Sequence, residues 1–341
     1  MTGPFPAVDD APADLASLNA LLAPYREPEL LRSLGQVANT ALPFFGLMAL
    51  MYWAAFTRHW VVTFLLAPPT AAFLMRLFII QHDCGHGSFF KSQRANDLLG
   101  AFIGVWTLTP YAYWKQTHAI HHSTSGNLDR RGWGDIETRT VREYKAMTPW
   151  QRRCYRLYRS IPVLFFLGPA FHFIVYHRLP WIIPSDWKAE RRSILYNDLC
   201  LAFLLYGAFH TVGMGPFFAV QLSVGVCSAI GGVYLFYVQH QFEGTYWRKD
   251  DGWDVVEASL RGSSYYDLPL PLQWITGNIG FHHIHHLNSR IPNYKLEKCM
   301  NENPVLQKVA RLTFWQSFKC VKLSLWDEDA GKMVGFDGVK L

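Results

Sequence analysis

Charge is what this sequence has least of. Of 341 residues only 17% are Asp, Glu, Lys or Arg, while 50% are hydrophobic and 16% aromatic. A soluble domain carries about a quarter charged residues. Here the apolar residues also clump into long runs, which makes lipid part of the solvent. The six cysteines (Cys84, Cys154, Cys200, Cys227, Cys299, Cys320) include no CxxC pair, which argues against a disulfide framework or a zinc ribbon and leaves reduced thiols as the expectation. No Lys/Arg tract is dense enough for nucleic-acid binding. The net charge of +6 is modest and fits basic residues retained on the cytoplasmic side of a membrane. The start, MTGPFPAVDDAPADL, has no apolar stretch, so no secretory signal is expected. Internal repeats and low-complexity segments are also lacking.

What is present is a succession of apolar runs. Residues 1–35 read as a polar cytosolic lead-in. Residues 38–56 carry no charge, and residues 60–80 carry only Arg76, near their end. Both are long enough to cross a bilayer core, and they form a first hairpin, 38–80. The run 98–112 is about half to three quarters of a span and reads as re-entrant or interfacial. Residues 114–160 hold ten Lys/Arg, against only Arg58 between the first two runs, so the positive-inside rule places 114–160 in the cytoplasm. Apolar runs at 198–213 and 215–238, joined by Gly213-Met214-Gly215-Pro216, read as a second hairpin. The expectation is a single all-α integral membrane domain, 1–341. It has a lead-in (1–35), hairpin 38–80, a polar stretch 81–160, an interfacial segment 161–196, hairpin 198–238 and a cytosolic cap 239–341.

Nine of the 14 histidines fall in three tight groups: His82-Asp83-Cys84-Gly85-His86, His118-Ala119-Ile120-His121-His122 and His282-His283-Ile284-His285-His286. On a helix, positions i, i+3 and i+4 share a face, so each group is expected to aim its imidazoles at one point. Eight such nitrogens are too many for one metal and about right for two. Imidazole suits Zn, Cu, Fe and Ni. A structural zinc site closes with four ligands, commonly including Cys. Many neutral nitrogens beside a lipid-facing pocket fit iron with a position open for oxygen. For the three groups to meet, they must lie on one face of the membrane. An even number of crossings must then separate the second from the third. Hairpin 198–238 supplies two, so 161–176 is assigned to the interface.

Other residues carry two readings each. His240, at the end of the last apolar run, reads equally as a metal ligand or an interface histidine. Asn278, four residues before His282, could share its helical face and hold a ligand or water, or simply cap. Asp83 could orient an imidazole, or be a solvated carboxylate at a helix end. His283 points away from its neighbours. Gly85 and Gly87 allow close approach of the chain. Tyr111, Tyr113 and Trp114 read as an interfacial belt. The isolated His59, His172, His177 and His210 read as packing or interface residues.

The strings HDCGHGSFF (82–90), HAIHHSTSGNLDRRG (118–132) and GNIGFHHIHHLNSRIPNYKLEKC (277–299), with VQHQFEGTYW (238–247) and LRGSSYYDLP (260–269), resemble the membrane fatty acid desaturase family. The likeness is greatest to bacterial and plastid-type acyl-lipid desaturases, and it runs from about residue 40 to residue 300. The resemblance implies four membrane spans and a cytosolic cap holding two irons. The ligands would be His82, His86, His118, His121, His122, His282, His285 and His286, and a ninth metal-site histidine of the family corresponds to His240. It implies an oxygen-dependent reaction that takes hydrogen from adjacent methylenes of an acyl-lipid chain, leaving a cis double bond with Δ12-like or Δ5-like position. No flavin, nicotinamide or haem motif is present, so electrons would come from a separate carrier such as an acidic ferredoxin. The Lys/Arg-rich segment 139–159 would be its docking surface or a plain positive-inside loop. Alternatives are hydroxylation, epoxidation or ketolation at the same site, or a membrane zinc protein. The lack of a transit peptide or retention signal points to a bacterial inner membrane, with both termini and the active site cytoplasmic.

Overall fold

The structure, a computed structural model, describes residues 15–340. The expectations resting on residues 1–14 and on Leu341, the missing leader and the cytoplasmic ends, lie outside the described residues. In chain order the helices are α1 (Leu15–Leu22), α2 (Leu30–Phe56), α3 (Trp60–His86), α4 (Gln93–Trp106), α5 (Tyr111–Thr124), α6 (Val141–Ala146), α7 (Pro149–Tyr158), α8 (Gly168–Ile174), α9 (Lys188–His210), α10 (Met214–His240), α11 (Val255–Arg261), α12 (Leu270–Ile275), α13 (His282–Leu287), α14 (Asn293–Glu302) and α15 (Phe314–Cys320). Five strands of two or three residues accompany them: β1 (Arg139–Thr140), β2 (Tyr265–Asp267), β3 (Arg311–Thr313), β4 (Leu325–Asp327) and β5 (Lys332–Val334). The chain is mostly helical, as expected, and the short strands are additions to that frame. Runs this short leave no period-two pattern in a sequence.

The chain forms two compact units. The span unit comprises residues 28–116 and 165–233, and the polar unit comprises residues up to 27, 117–164 and 234–341. The expected segments 81–160 and 198–238 are therefore each divided between the two.

In the span unit, α2 and α3 pack as a hairpin. Phe44, Met48 and Met51 of α2 and Ala67, Ala71 and Leu74 of α3 are buried, each set spaced i, i+4, i+7 along one face. Thr70 Oγ1 donates to Met51 Sδ at 3.2 Å between the two helices. Among the described residues three single helices, α2, α3 and α10, are long and apolar enough to cross a membrane. Each has 27 residues, about 40 Å of helix against a core of about 30 Å. With the family established below, the chain reads as a membrane protein. The helix α9 begins at Lys188, ten residues before the apolar run it contains, because Lys188, Glu190, Arg191 and Arg192 are helix formers that periodicity of apolar residues cannot register. The run 98–112 is short, as expected. Its helix α4 has 14 residues, and Asn197 Nδ2 of α9 donates to Gly104 O at its end at 2.8 Å.

The aromatic belt does not hold. Tyr111 and Tyr113 are 6% and 3% exposed. Tyr111 Oη donates to Cys84 O at 2.8 Å and bonds Asp97 at 3.1 Å. A Cβ on Gly85 would lie 2.7 Å from the Trp114 ring, so Gly85 is what lets that ring pack. Tyr111 and Trp114 pack on α3 and Tyr113 on Ile183 and Ile194, and their position after an apolar run imitates an interfacial signature.

In the polar unit, β1 pairs parallel with β4 and β4 antiparallel with β5, while β2 pairs parallel with β3. The short helices α6, α7 and α15 start with complete capping boxes: Thr140 with Glu143, Thr148 with Gln151, and Thr313 with Gln316. Each box satisfies two amide groups that a short helix would otherwise leave exposed. Tyr144, Tyr155 and Leu325 form one buried cluster, and Leu128, Trp247, Trp326 and Met333 another.

Candidate metal centre

The three histidine groups sit at helix ends. In the span unit, His82 and His86 close α3, with ring centroids 4.7 Å apart. The helix stops there because Gly87 takes the left-handed conformation (φ 67°), which glycine adopts without a Cβ penalty. His82 Nδ1 lies 3.3 Å from Asp83 Oδ1, as the orienting reading of Asp83 requires, and the Trp114 ring lies against His82 at 5.7 Å.

In the polar unit, α5 carries His118, His121 and His122, α13 carries His282, His285 and His286, and α10 ends in His240. These seven form two sets. In the first, His121, His240, His282 and His286 are all buried, and one ring nitrogen from each lies within 4.8 Å of the others. In the second, His118, His122 and His285 meet the same criterion. The expectation that each group aims at a single point is thus corrected. The i, i+4 pairs stay together (His118 with His122, His282 with His286), while the i+3 residue of each group joins the other set. The reason is angular. At about 100° per residue, positions i+3 and i+4 fall on opposite sides of i and diverge by about 100°. Two HxxHH helices facing each other therefore build two centres by geometry alone.

The nitrogen contacts fit a cation. His240 Nδ1 faces Gly262 O at 3.0 Å, and His121 Nδ1 faces the Asp135 carboxylate. A neutral imidazole that donates from Nδ1 to either oxygen leaves its Nε2 as a bare acceptor. Yet those two Nε2 atoms are 3.2 Å apart, and His282 Nε2 is 2.9 Å from that of His240. Bare lone pairs at that distance repel unless a positive ion lies among them. Metal–nitrogen bonds of about 2 Å at tetrahedral to octahedral angles put neighbouring donors about 3 Å apart. Burial first, and the imidazoles of His122, His282, His240 and His121 after it, hold His286 well below the usual histidine range. It is therefore neutral and free to donate its lone pair at neutral pH. A cavity beside His240 and Asp135 of about 10 Å³ suits about one water and is too small for an acyl chain.

Over residues 58–317 the chain matches the family described as fatty acid desaturase. The chain belongs to the fatty acid desaturase family. It is 42% identical over 323 residues to a fatty acid desaturase of Bacillus subtilis (strain 168), covering 95% of this chain and 91% of that protein. It is 27% identical over 337 residues to an sn-1 acyl-lipid omega-3 desaturase (ferredoxin) of Synechocystis, covering 92% and 88%. It is also 27% identical over 304 residues to an omega-3 fatty acid desaturase of the endoplasmic reticulum from Vigna radiata, covering 84% and 75%. The resemblance drawn from the histidine strings holds at the level of the family.

Several family-based expectations can be placed in the structure. His240 stands inside the first set, with the geometry of a ligand. His283 is turned away, its Nε2 3.0 Å from Leu306 O. Asn278 is not on the face of His282. The helix begins only at His282, and Asn278 lies before it in a left-handed turn (φ 58°) after Gly277 (φ 55°), with its Nδ2 3.4 Å from Asn293 O. Four residues of spacing meant a shared face only if the helix ran back that far. The sequence reading missed Asp135, which holds His121 from 14 positions away. Its only signal is a carboxylate, one of three with Asp129 and Glu137, in a glycine-rich loop after a histidine group. Asp135→Ala is expected to weaken metal binding about 10–100-fold, read as metal retained per protein after dialysis against a chelator. The basic segment 139–159 is mostly spent internally. Arg139 pairs with Glu137, and Arg142 with Asp329. Arg156 Nε donates to Tyr144 Oη at 2.6 Å, and Arg159 is buried.

Proposed function

We propose that this protein is an oxygen-dependent acyl-lipid desaturase whose two histidine sets each hold one iron. The observation that carries the reading is the splitting of the two HxxHH helices into two convergent nitrogen sets. His121, His240, His282 and His286 hold one ion. His118, His122 and His285 would hold the other, and His82 and His86 are the further ligands that the family resemblance implies. Asp83 and Asp135 would orient the imidazoles of His82 and His121 through their Nδ1 atoms. When bound, the irons supply oxygen activation. The net reaction takes an acyl CH2–CH2, O2, two electrons and two protons to a cis CH=CH and two waters. The protein's share is to fix the ligands and to exclude water from the buried centre. The relatives' names support a membrane-lipid acyl chain as substrate and a ferredoxin-like protein as donor. We further propose that α9 is a fourth span beside α2, α3 and α10. The even number of crossings then puts all histidine groups on the cytoplasmic face of a bacterial inner membrane.

The test is the fatty acid profile of a host expressing the chain with an electron donor, by gas chromatography with double-bond location. A new unsaturated acyl species is expected. A product that retains an oxygen atom would replace desaturation by hydroxylation or epoxidation, and purified protein carrying zinc instead of iron would sink the redox reading altogether.

A further inference from the structure

Two amphipathic helices of the polar unit are pinned to the end of a membrane span and turn their apolar sides outward. On α7 the outward residues are Trp150, Arg153, Cys154 and Leu157, spaced i, i+3, i+4, i+7, and Ile161 continues the stripe. On α15 they are Trp315, Phe318 and Lys319, with Lys322 following, at the same spacing. The apolar members are among the most exposed of the chain: Trp150 71%, Leu157 64%, Trp315 77% and Phe318 49%.

The inward sides are fixed to the last two turns of α10. Ser317 Oγ of α15 bonds Tyr234 Oη at 2.7 Å, and the Phe318 ring lies 5.9 Å from that of Tyr234. Tyr237 Oη lies 3.2 Å from Cys320 O and accepts from Arg159 Nη2, just beyond α7, at 3.1 Å. Tyr234 and Tyr237 belong to a helix long and apolar enough to cross a bilayer. Both helices therefore sit at the depth where that span leaves the hydrocarbon.

We propose that α7 and α15 form a collar seated in the headgroup layer. In it Trp150, Leu157, Trp315 and Phe318 dip into the acyl boundary, and Arg152, Arg153, Lys319 and Lys322 contact anionic lipid headgroups. The occupant is lipid because the exposed faces are continuous with a spanning helix. They also combine tryptophan with flanking cations, the composition of an interfacial helix. The inference rests on the membrane character of the chain and not on its chemistry.

The test uses the full chain in vesicles of phosphatidylcholine and phosphatidylglycerol. A photoreactive benzoylphenylalanine is placed, one position at a time, at Trp150, Trp315, Leu65 in α3 and Asp329. Illumination is expected to give phospholipid adducts at positions 150 and 315, as at 65, at least about fivefold above those at 329. Replacing Arg152, Arg153, Lys319 and Lys322 by glutamine is expected to lower the phosphatidylglycerol share of the adducts. Labelling at 65 without labelling at 150 and 315 overturns the collar, as does labelling at only one of those two. Adducts to a protein instead of lipid at these positions in native membranes would make the face a partner-docking surface and also overturn it.

Discussion

His121→Ala is expected to abolish turnover while leaving the protein in the membrane. His121 is 1% exposed and stands in the first set, its Nε2 3.2 Å from that of His240 and its Nδ1 on Asp135. Alanine removes one of four nitrogen ligands and leaves the Asp135 carboxylate without its imidazole partner. Changing a residue that only orients a ligand costs about 10–100-fold in affinity or activity, so losing the ligand itself is expected to cost at least about 100-fold. The spans α2 and α3 do not involve this residue, and insertion follows their apolar length. The measurement is metal per protein together with product formed in a host. His283→Ala is the matched control. It removes an equally buried imidazole whose Nε2 faces Leu306 O. The expected loss is about 1–3 kcal/mol of stability with the metal retained. Full activity in His121→Ala, or loss of metal in His283→Ala, would mean that the two sets are wrongly drawn.

The sequence made the histidines legible because their spacing is a helical spacing and their placement follows long apolar runs. The three spans α2, α3 and α10 were legible for the same physical reason: few residue types tolerate hydrocarbon. The division of each HxxHH group between two sets was not read, although the 100° between i+3 and i+4 was available from helix geometry. What spacing could not give was anything depending on where a helix begins. Spacing alone puts Asn278 on the face of a helix that in fact starts four residues later, and it starts α9 ten residues late. Nor could it give contacts made by loops. Asp135 meets His121, and Gly262 O meets His240, only because the polar unit folds back on itself, and no local pattern encodes that. Tyr111 and Trp114 show the opposite failure, where a correct statistical signature of an interface belonged to a packed core.

Arg159→Ala is expected to loosen the polar unit by about 3–5 kcal/mol, a cost comparable to breaking a buried ion pair. Arg159 is 4% exposed, and none of its four hydrogen-bond acceptors is a carboxylate. It donates to Glu137 O at 3.1 Å, Tyr237 Oη at 3.1 Å, Gln241 Oε1 at 3.0 Å and Leu323 O at 2.9 Å. Its charge is held by oriented dipoles and by the Tyr237 ring, whose centroid lies 5.5 Å from Cζ. Removing it strands buried acceptors at about 1–3 kcal/mol each, offset where water enters the space. Lysine, a point donor on a flexible stem, cannot serve four acceptors in a planar fork, so Arg159→Lys is expected to recover only part of the loss. The consequence reaches the metal centre. Gln241 follows His240 directly, and Thr138 Oγ1 donates to the same Gln241 Oε1 at 3.2 Å, near the loop that carries Asp135. Arg159 thus holds together the two stretches that set His240 and His121 against each other. Thermal unfolding of the solubilised protein, with metal content measured alongside, tests both parts. Unchanged unfolding would show that water replaces the guanidinium at little cost. Lowered stability with full metal content would show that the histidine sets hold their geometry without this clamp.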